Sequence, residues 1–103
     1  MEPKLRYIDR ERSAVRALAD FDAMRRRRAF GQPETAEQAA YGDWMLHAWN
    51  ALTSEEQTLI RARYIRRGGW VYELQDTLHY ERTWLYHKSA AALHKLARLL
   101  YDT

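Results

Sequence analysis

Cysteine is absent from this chain of 103 residues, and proline and glycine are scarce, with two and four copies. Without cysteine there are neither disulfides nor thiolate metal ligands, which agrees with a reducing cytosol. No alternating run of Val, Ile and Thr is present, so β structure has little support. Charged residues interrupt every apolar stretch, so neither a signal-peptide core nor a membrane span is expected. These absences predict a soluble, cytoplasmic, all-α protein.

The composition of the chain predicts one domain with an unevenly charged surface. With 47% hydrophobic and 30% charged residues, it can form one core but not two. A net charge of +3 permits binding to nucleic acid without demanding it. The basic residues form two clusters, Arg25–Arg28 and the set Arg61, Arg63, Arg66 and Arg67. Acidic patches separate them, and the surface is therefore neither uniformly basic nor that of an acidic DNA mimic.

Two helices are predicted in residues 1–52. Apolar residues recur at steps of three and four from Leu5 to Met24, which indicates a helix over about residues 4–28, before Gly31 and Pro33. The Arg25–Arg28 run closes this helix, either as partners of its dipole or as a phosphate-contacting surface. The pattern Thr35-Ala-Glu-Gln38 is a capping box that opens a second helix. That helix carries a stripe expected in the core, namely Tyr41, Trp44, Met45, Ala48, Trp49 and Leu52.

Three further helices are predicted in residues 53–103. A capping box, Thr53-Ser-Glu-Glu56, begins the first, and Gly68 is expected to end it with a positive φ. A short helix follows from Trp70 to Leu78, and only three residues separate it from the last helix. Two helices joined by such a turn form the helix-turn-helix unit, whose second helix enters the DNA major groove. The buried face of the last helix is predicted to be Leu85, Ser89, Ala92, Leu93, Leu96, Leu99 and Leu100.

A known family shows a similar pattern in this half of the chain. Two parts of the sequence together resemble region 4 of bacterial sigma factors. The first is the segment from Leu52 to Tyr64, and the second is the series Trp70, Glu73, Leu74, Leu78, Tyr80, Arg82, Thr83, Leu85, Ala92, Leu93 and Leu96. This pattern is more closely similar to phage and prophage transcription regulators of the ArpU and RinA type, which often close with a run like Ala92–Tyr101. Two residues depart from the family pattern. Glu81 stands where the family usually has Ser, so the last helix lacks a good N-cap residue. Gln75 is larger than the residue that the family usually has where the two helices approach each other.

The resemblance implies a role for five residues in the first turns of the last helix. All five would face the major groove, namely Arg82, Thr83, Trp84, Tyr86 and His87. Arg82 suits a guanine or a phosphate, and Thr83 suits a thymine methyl group. Lys88, Arg61, Arg66 and Arg67 are expected at the phosphate backbone. Trp84 either packs against Trp70 or Tyr80, which is favoured, or joins the contact surface.

The predicted function is sequence-specific DNA binding by a transcription regulator of phage or prophage origin, acting in a bacterial host. One such module binds DNA weakly alone, so RNA polymerase or a second copy of the chain is expected as a partner besides double-stranded DNA. A protein-binding module that uses a surface rich in Trp, Tyr and Arg is the competing interpretation. A third is a core helix whose polar face is merely solvated. No catalytic, cofactor-binding or metal-binding arrangement is recognisable, so neither enzyme activity nor a small-molecule substrate is expected.

Overall fold

The computed structural model describes residues 7–102, and in that range every regular element is a helix and there is no strand. The helices are α1 (Tyr7–Ala29), α2 (Ala36–Asn50), α3 (Ser54–Ile60), α4 (Trp70–Leu78) and α5 (Arg82–Tyr101), and α3 continues directly into a π-helical segment, Arg61–Arg66. The predicted all-α class is confirmed. Leu5, near the predicted start of the first helix, lies outside the described residues. No helix in the described range is both long and apolar enough to cross a membrane.

Both predicted capping boxes are present. The Thr35 hydroxyl accepts a hydrogen bond from the Gln38 N–H at 3.1 Å, and the Gln38 side chain accepts one from the Thr35 N–H at 3.0 Å. Thr53 and Glu56 repeat the arrangement at 3.1 and 2.8 Å. Each box satisfies two N–H groups that have no partner inside their helix. The local sequence therefore determines where α2 and α3 begin.

The end of the third predicted helix differs from the expectation for Gly68. The chain widens into the π-helical segment, where the Arg67 N–H bonds to the Ala62 carbonyl, five residues back, at 2.8 Å. The reversal then falls on Arg67, with φ 69° and ψ −60°, and the Gly68 N–H bonds to the Arg66 carbonyl at 2.9 Å. Arg67 is thus the central residue of the rare, strained type of γ-turn. A positive φ therefore falls on Arg67, one residue before the expected Gly68, and a second one falls on Gly69, with φ 70°.

Two groups of buried side chains hold the helices together. The larger one joins α1, α2 and the C-terminal part of α5, and it includes Leu18, Phe21, Met45, Trp49, Leu93, Leu96 and Leu100. The smaller one joins α3, α4 and the start of α5, and it consists of Leu59, Ala62, Trp70, Val71, Leu74 and Leu85. Helix α5 contributes to both, so its first turns lie over the smaller cluster.

Two residues predicted in the core lie at its edge. Trp44 is 36% exposed and packs its ring beside those of Tyr41 and Tyr101, with centroids 5.4 and 5.8 Å away. Leu99 is 42% exposed, and Ala97 is buried in its place. Helical periodicity defines an apolar face, but the position of the neighbouring helices decides which side of that face is covered. At the C-terminal end of α5 the buried face is displaced toward Ala97.

Candidate nucleic-acid interface

The first two turns of α5 present a polar surface. The side chains of Arg82, Thr83, Tyr86, His87 and Lys88 are exposed. The N-cap residue, Glu81, has extended backbone angles, and its side chain makes no cap hydrogen bond. The N–H groups of the first turn are therefore not satisfied by a capping side chain, and they lie beside the exposed polar residues.

Trp84 packs against one of the two partners predicted for it. Its ring stacks on that of Tyr80, with centroids 3.7 Å apart and planes 24° apart. The Lys88 ammonium lies 5.2 Å from the Trp84 ring centroid. The Tyr80 hydroxyl in turn donates to a Glu55 carboxylate oxygen at 3.4 Å. Trp84 is consequently half-buried and connects the start of α5 to the turn before it.

Arg63 occupies a central position that was not assigned from the sequence. Its Nη1 donates to the Tyr86 carbonyl at 3.1 Å and to the Ser89 hydroxyl at 2.9 Å. The guanidinium carbon lies 4.9 Å from the Tyr86 ring centroid and 5.7 Å from that of Trp70. The rings of Tyr86 and Trp70 also meet edge to face at 5.1 Å. Arg63 therefore fixes the π-helical segment to the part of α5 that carries the exposed polar residues.

The presence of Ser89 on the apolar face of α5 was a sequence signal for a polar partner such as Arg63. Ser89 is fully buried on that face, and its hydroxyl donates to the Tyr86 carbonyl at 3.1 Å. Buried hydroxyls are nearly always hydrogen-bonded, so a Ser at a core position indicates a polar partner nearby. The sequence does not reveal which residue supplies that partner, because Arg63 is 26 residues away.

The arginines predicted at phosphates separate into two places. Arg66 and Arg67 are exposed at the end of the π-helical segment and in the turn before α4, and Arg66 forms an ion pair with Glu73 of α4 at 2.9 Å. Arg61 instead donates to Asp22 of α1 at 2.6 Å, and its guanidinium lies 4.8 Å from the Trp49 ring centroid. Arg61 thus has structural partners on α1 and α2 and does not join the exposed pair.

Positive charge predominates in the segment that carries these residues. Residues 61–88 contain six Arg and Lys side chains and three Asp and Glu side chains. Of the three carboxylates, that of Glu73 is engaged by Arg66. The Tyr86 ring lies beside two guanidinium groups, with its centroid 4.9 Å from the Arg63 carbon and 5.8 Å from that of Arg82, and this favours an anionic partner over an apolar protein surface.

Comparisons with known proteins do not identify the chain. No family model matches it, and searches of curated proteins and of solved structures find no match. The assignment of a function therefore depends on the residues, contacts and charges described above.

Proposed function

We propose that the protein binds duplex DNA through the first turns of α5, with α4 and α5 acting as a helix-turn-helix unit. The observation that carries this proposal is the exposed set Arg82, Thr83, Tyr86 and His87 at the N-terminal end of α5. Recognition helices contact base edges with residues near their N-terminus, where the groove is closest. The turn between the two helices has three residues, His79, Tyr80 and Glu81, as that unit requires.

The exposed residues divide into base-reading and backbone-contacting groups. Arg82 has no ion pair with any residue in the range 7–102, so its guanidinium is available for a guanine edge. Thr83, Tyr86 and His87 supply a methyl group and hydrogen-bonding groups beside it. Arg66, Arg67 and Lys88 are proposed to contact phosphates. Trp84, stacked on Tyr80, is proposed to hold the start of α5 rather than to read a base, and Arg61 is omitted because Asp22 holds it.

The competing proposal is a protein-binding surface built on the same aromatic residues. Four rings of this region pack in pairs, Trp84 on Tyr80 and Trp70 on Tyr86, and cations lie next to them, whereas Tyr72 of α4 is 76% exposed. An interface hot spot would instead offer aromatic side chains free to enter a partner's pocket. DNA is therefore the preferred partner. A single unit of this size binds DNA weakly, so we propose that a second copy or RNA polymerase strengthens the complex during transcription regulation.

The proposal is tested first by fluorescence anisotropy of the purified protein with random duplex DNA at two salt concentrations. Binding that weakens steeply with salt is expected, because cations on the protein release counterions from the phosphates. Selection of bound sequences should then enrich a defined site. A folded protein that fails to bind DNA at low salt would refute the proposal and favour the protein-binding alternative.

Variants of Arg82 and Arg66 distinguish base reading from backbone contact. Arg82→Ala should weaken binding to the selected site by about 1–3 kcal/mol and relax its sequence preference, because a bidentate base contact is lost. Arg66→Gln should weaken binding to all sequences and flatten the salt dependence. Arg98→Ala is the matched control, since Arg98 is exposed on the same helix, about 24 Å from Arg82 at 1.5 Å per residue. If Arg82→Ala lowered the affinity for every DNA sequence equally, base reading by Arg82 would be contradicted.

A further inference from the structure

An open cleft of about 620 Å³ lies where the π-helical segment meets α1 and α5. Its apolar and aromatic lining comes from Val15, Tyr64, Trp70 and Leu93. Sites for small organic molecules typically have volumes of about 300–1,000 Å³ and are lined mainly by such side chains, with a few polar groups that fix orientation. The cleft therefore has the volume of a small-molecule site, and four of its eight lining residues are apolar or aromatic while the other four are charged.

The charged residues of the cleft are unbalanced. Three arginines line it, Arg12, Arg63 and Arg67, against one carboxylate, Glu11. The Glu11 carboxylate lies 3.4 Å from Nδ1 of His94. Among the described residues 7–102, none of the three arginines forms an ion pair. Arg63 is half-buried, and the cleft therefore carries more positive than negative charge.

Arg63 keeps donors available for an anion. Both of its hydrogen bonds to α5 use Nη1. A guanidinium carries five N–H donors in a planar fork, so Nε and Nη2 are not consumed by these bonds. The Tyr64 ring centroid lies 5.0 Å from the guanidinium carbon, and the Tyr64 hydroxyl is a further hydrogen-bond partner of the Arg63 side chain. A carboxylate, sulfonate or phosphate group could accept from Arg63 without breaking its bonds to α5.

Arg67 reaches the cleft from a strained backbone. Its φ of 69° lies in the region that favours glycine, yet the two glycines of this turn follow it in the chain. Strained non-glycine residues of this kind are concentrated at functional sites, where the side chain is needed. The turn places the Arg67 side chain in the wall of the cleft.

We propose that this cleft binds a small organic anion. An aromatic or aliphatic body would pack against Tyr64, Trp70 and Leu93, and an anionic group would bind Arg12, Arg63 and Arg67. A DNA phosphate, by contrast, requires neither a concave site nor an apolar lining. The proposal does not rest on the DNA-binding function. Arg67, proposed above as a phosphate contact, would be shared between the two sites, whereas Arg12 and Arg63 belong to the cleft alone.

Anilinonaphthalene sulfonate, an aromatic anion, is a suitable probe for the full chain, followed by fluorescence and by NMR of the tryptophan indole N–H groups. Saturable binding of one molecule is expected, with the largest indole shift at Trp70 rather than at Trp44, Trp49 or Trp84. Arg12→Gln and Arg67→Gln should each weaken this binding about tenfold, because each removes one charge-assisted hydrogen bond. Both residues are exposed, so the variants should remain folded.

Two controls make the result specific. Arg26→Gln removes an exposed arginine from the far end of α1 and should leave probe binding unchanged. Uncharged phenylnaphthylamine should bind more weakly than the sulfonate and should not respond to Arg12→Gln or Arg67→Gln. Equal binding of the sulfonate by all variants, or a largest indole shift away from Trp70, would overturn the proposal. It would also be overturned if both cleft variants weakened DNA binding while leaving the sulfonate unaffected, since the arginines would then serve the DNA backbone.

Discussion

At the scale of single residues, polar side chains decide how α5 is attached. Ser89 is fully buried, and its hydroxyl accepts from Arg63 while donating to the Tyr86 carbonyl. Each hydrogen bond of this kind contributes about 1 kcal/mol, but an unpaired buried group would cost about 1–3 kcal/mol. The pair therefore specifies the register of α5 against the π-helical segment more than it adds to stability.

Glu81 is a residue at which stability can be gained. It occupies the N-cap of α5 without making a cap hydrogen bond. Glu81→Ser should raise the free energy of unfolding by about 0.5–1 kcal/mol, because a Ser hydroxyl accepts from the first-turn N–H groups. Thermal and urea unfolding measure the change. Glu81→Gln is the control and should lower stability slightly, since it removes a charge that favours the helix dipole without supplying a good cap.

The ion pair between Arg61 and Asp22 should contribute to stability rather than to DNA binding. The side chains are 32% and 19% exposed, with 2.6 Å between the charged atoms. Arg61→Gln and Asp22→Asn should each lower the free energy of unfolding by about 1–2 kcal/mol, and the double variant should lose less than the sum. Urea unfolding of the unmodified protein, the two single variants and the double variant provides the double-mutant cycle. If Arg61→Gln also flattened the salt dependence of DNA binding, as Arg66→Gln is expected to, Arg61 would have a phosphate role as well.

At the scale of elements, α3 and the π-helical segment direct side chains to three places. Arg61 contacts α1 through Asp22, Ala62 is buried in the smaller cluster, and Arg63 contacts α5. The sequence predicted one continuous helix here. The wider turn is a property of backbone geometry that periodic apolar residues do not encode, and such segments occur often at functional sites.

Helix α2 contains a glycine that the packing does not require. A Cβ on Gly42 would lie 3.7 Å from Cε2 of Phe21 and 3.9 Å from Oε1 of Glu34, which are ordinary contacts. Gly42→Ala should therefore raise the free energy of unfolding by about 0.5–1 kcal/mol, because alanine favours the helix and restricts the unfolded chain. Gly31→Ala, at φ 86°, should instead destabilise by about 1 kcal/mol or more. If Gly42→Ala lowered the free energy of unfolding, α1 and α2 would pack more closely than described.

At the scale of the whole molecule, the two halves of the chain share one core. Leu18 of α1 and Met45 of α2 are buried in the same cluster as Leu93 and Leu96 of α5. Helices α1 and α2, within the predicted N-terminal extension, thus cover part of the apolar face of α5, within the predicted DNA-binding part. The two halves of helix α5 pack against different neighbouring helices. The position of its exposed first turns depends on that packing.

A fragment of residues 53–103 should consequently fail to fold by itself. Removal of α1 and α2 would expose Leu93, Leu96 and Leu100, which are buried in the whole chain. Far-ultraviolet circular dichroism should show reduced helix per residue, and heating should give no cooperative transition. The full chain is the control. Cooperative unfolding of the fragment would show instead that the smaller cluster around Leu74 and Leu85 suffices for folding.

The amino-acid sequence by itself determined the helices and most of their ends. Local patterns predict features that depend on interactions between near neighbours in the chain. These features are the capping boxes at Thr35 and Thr53, the bounds Trp70–Leu78 and the three-residue turn before Arg82. The exposure of the residues proposed to read bases also follows from periodicity. The helix-turn-helix arrangement and its DNA target remain predictions.

Only the tertiary structure decided which residues meet across helices. Arg61 pairs with Asp22 and Arg63 with Ser89, 39 and 26 residues away, and the cleft combines α1 with the π-helical segment and α5. The exposure of Trp44 and Leu99 likewise depends on where the neighbouring helices lie. Hydrogen bonds within a helix and at its caps involve residues a few positions apart, whereas contacts between helices depend on packing that no local spacing specifies.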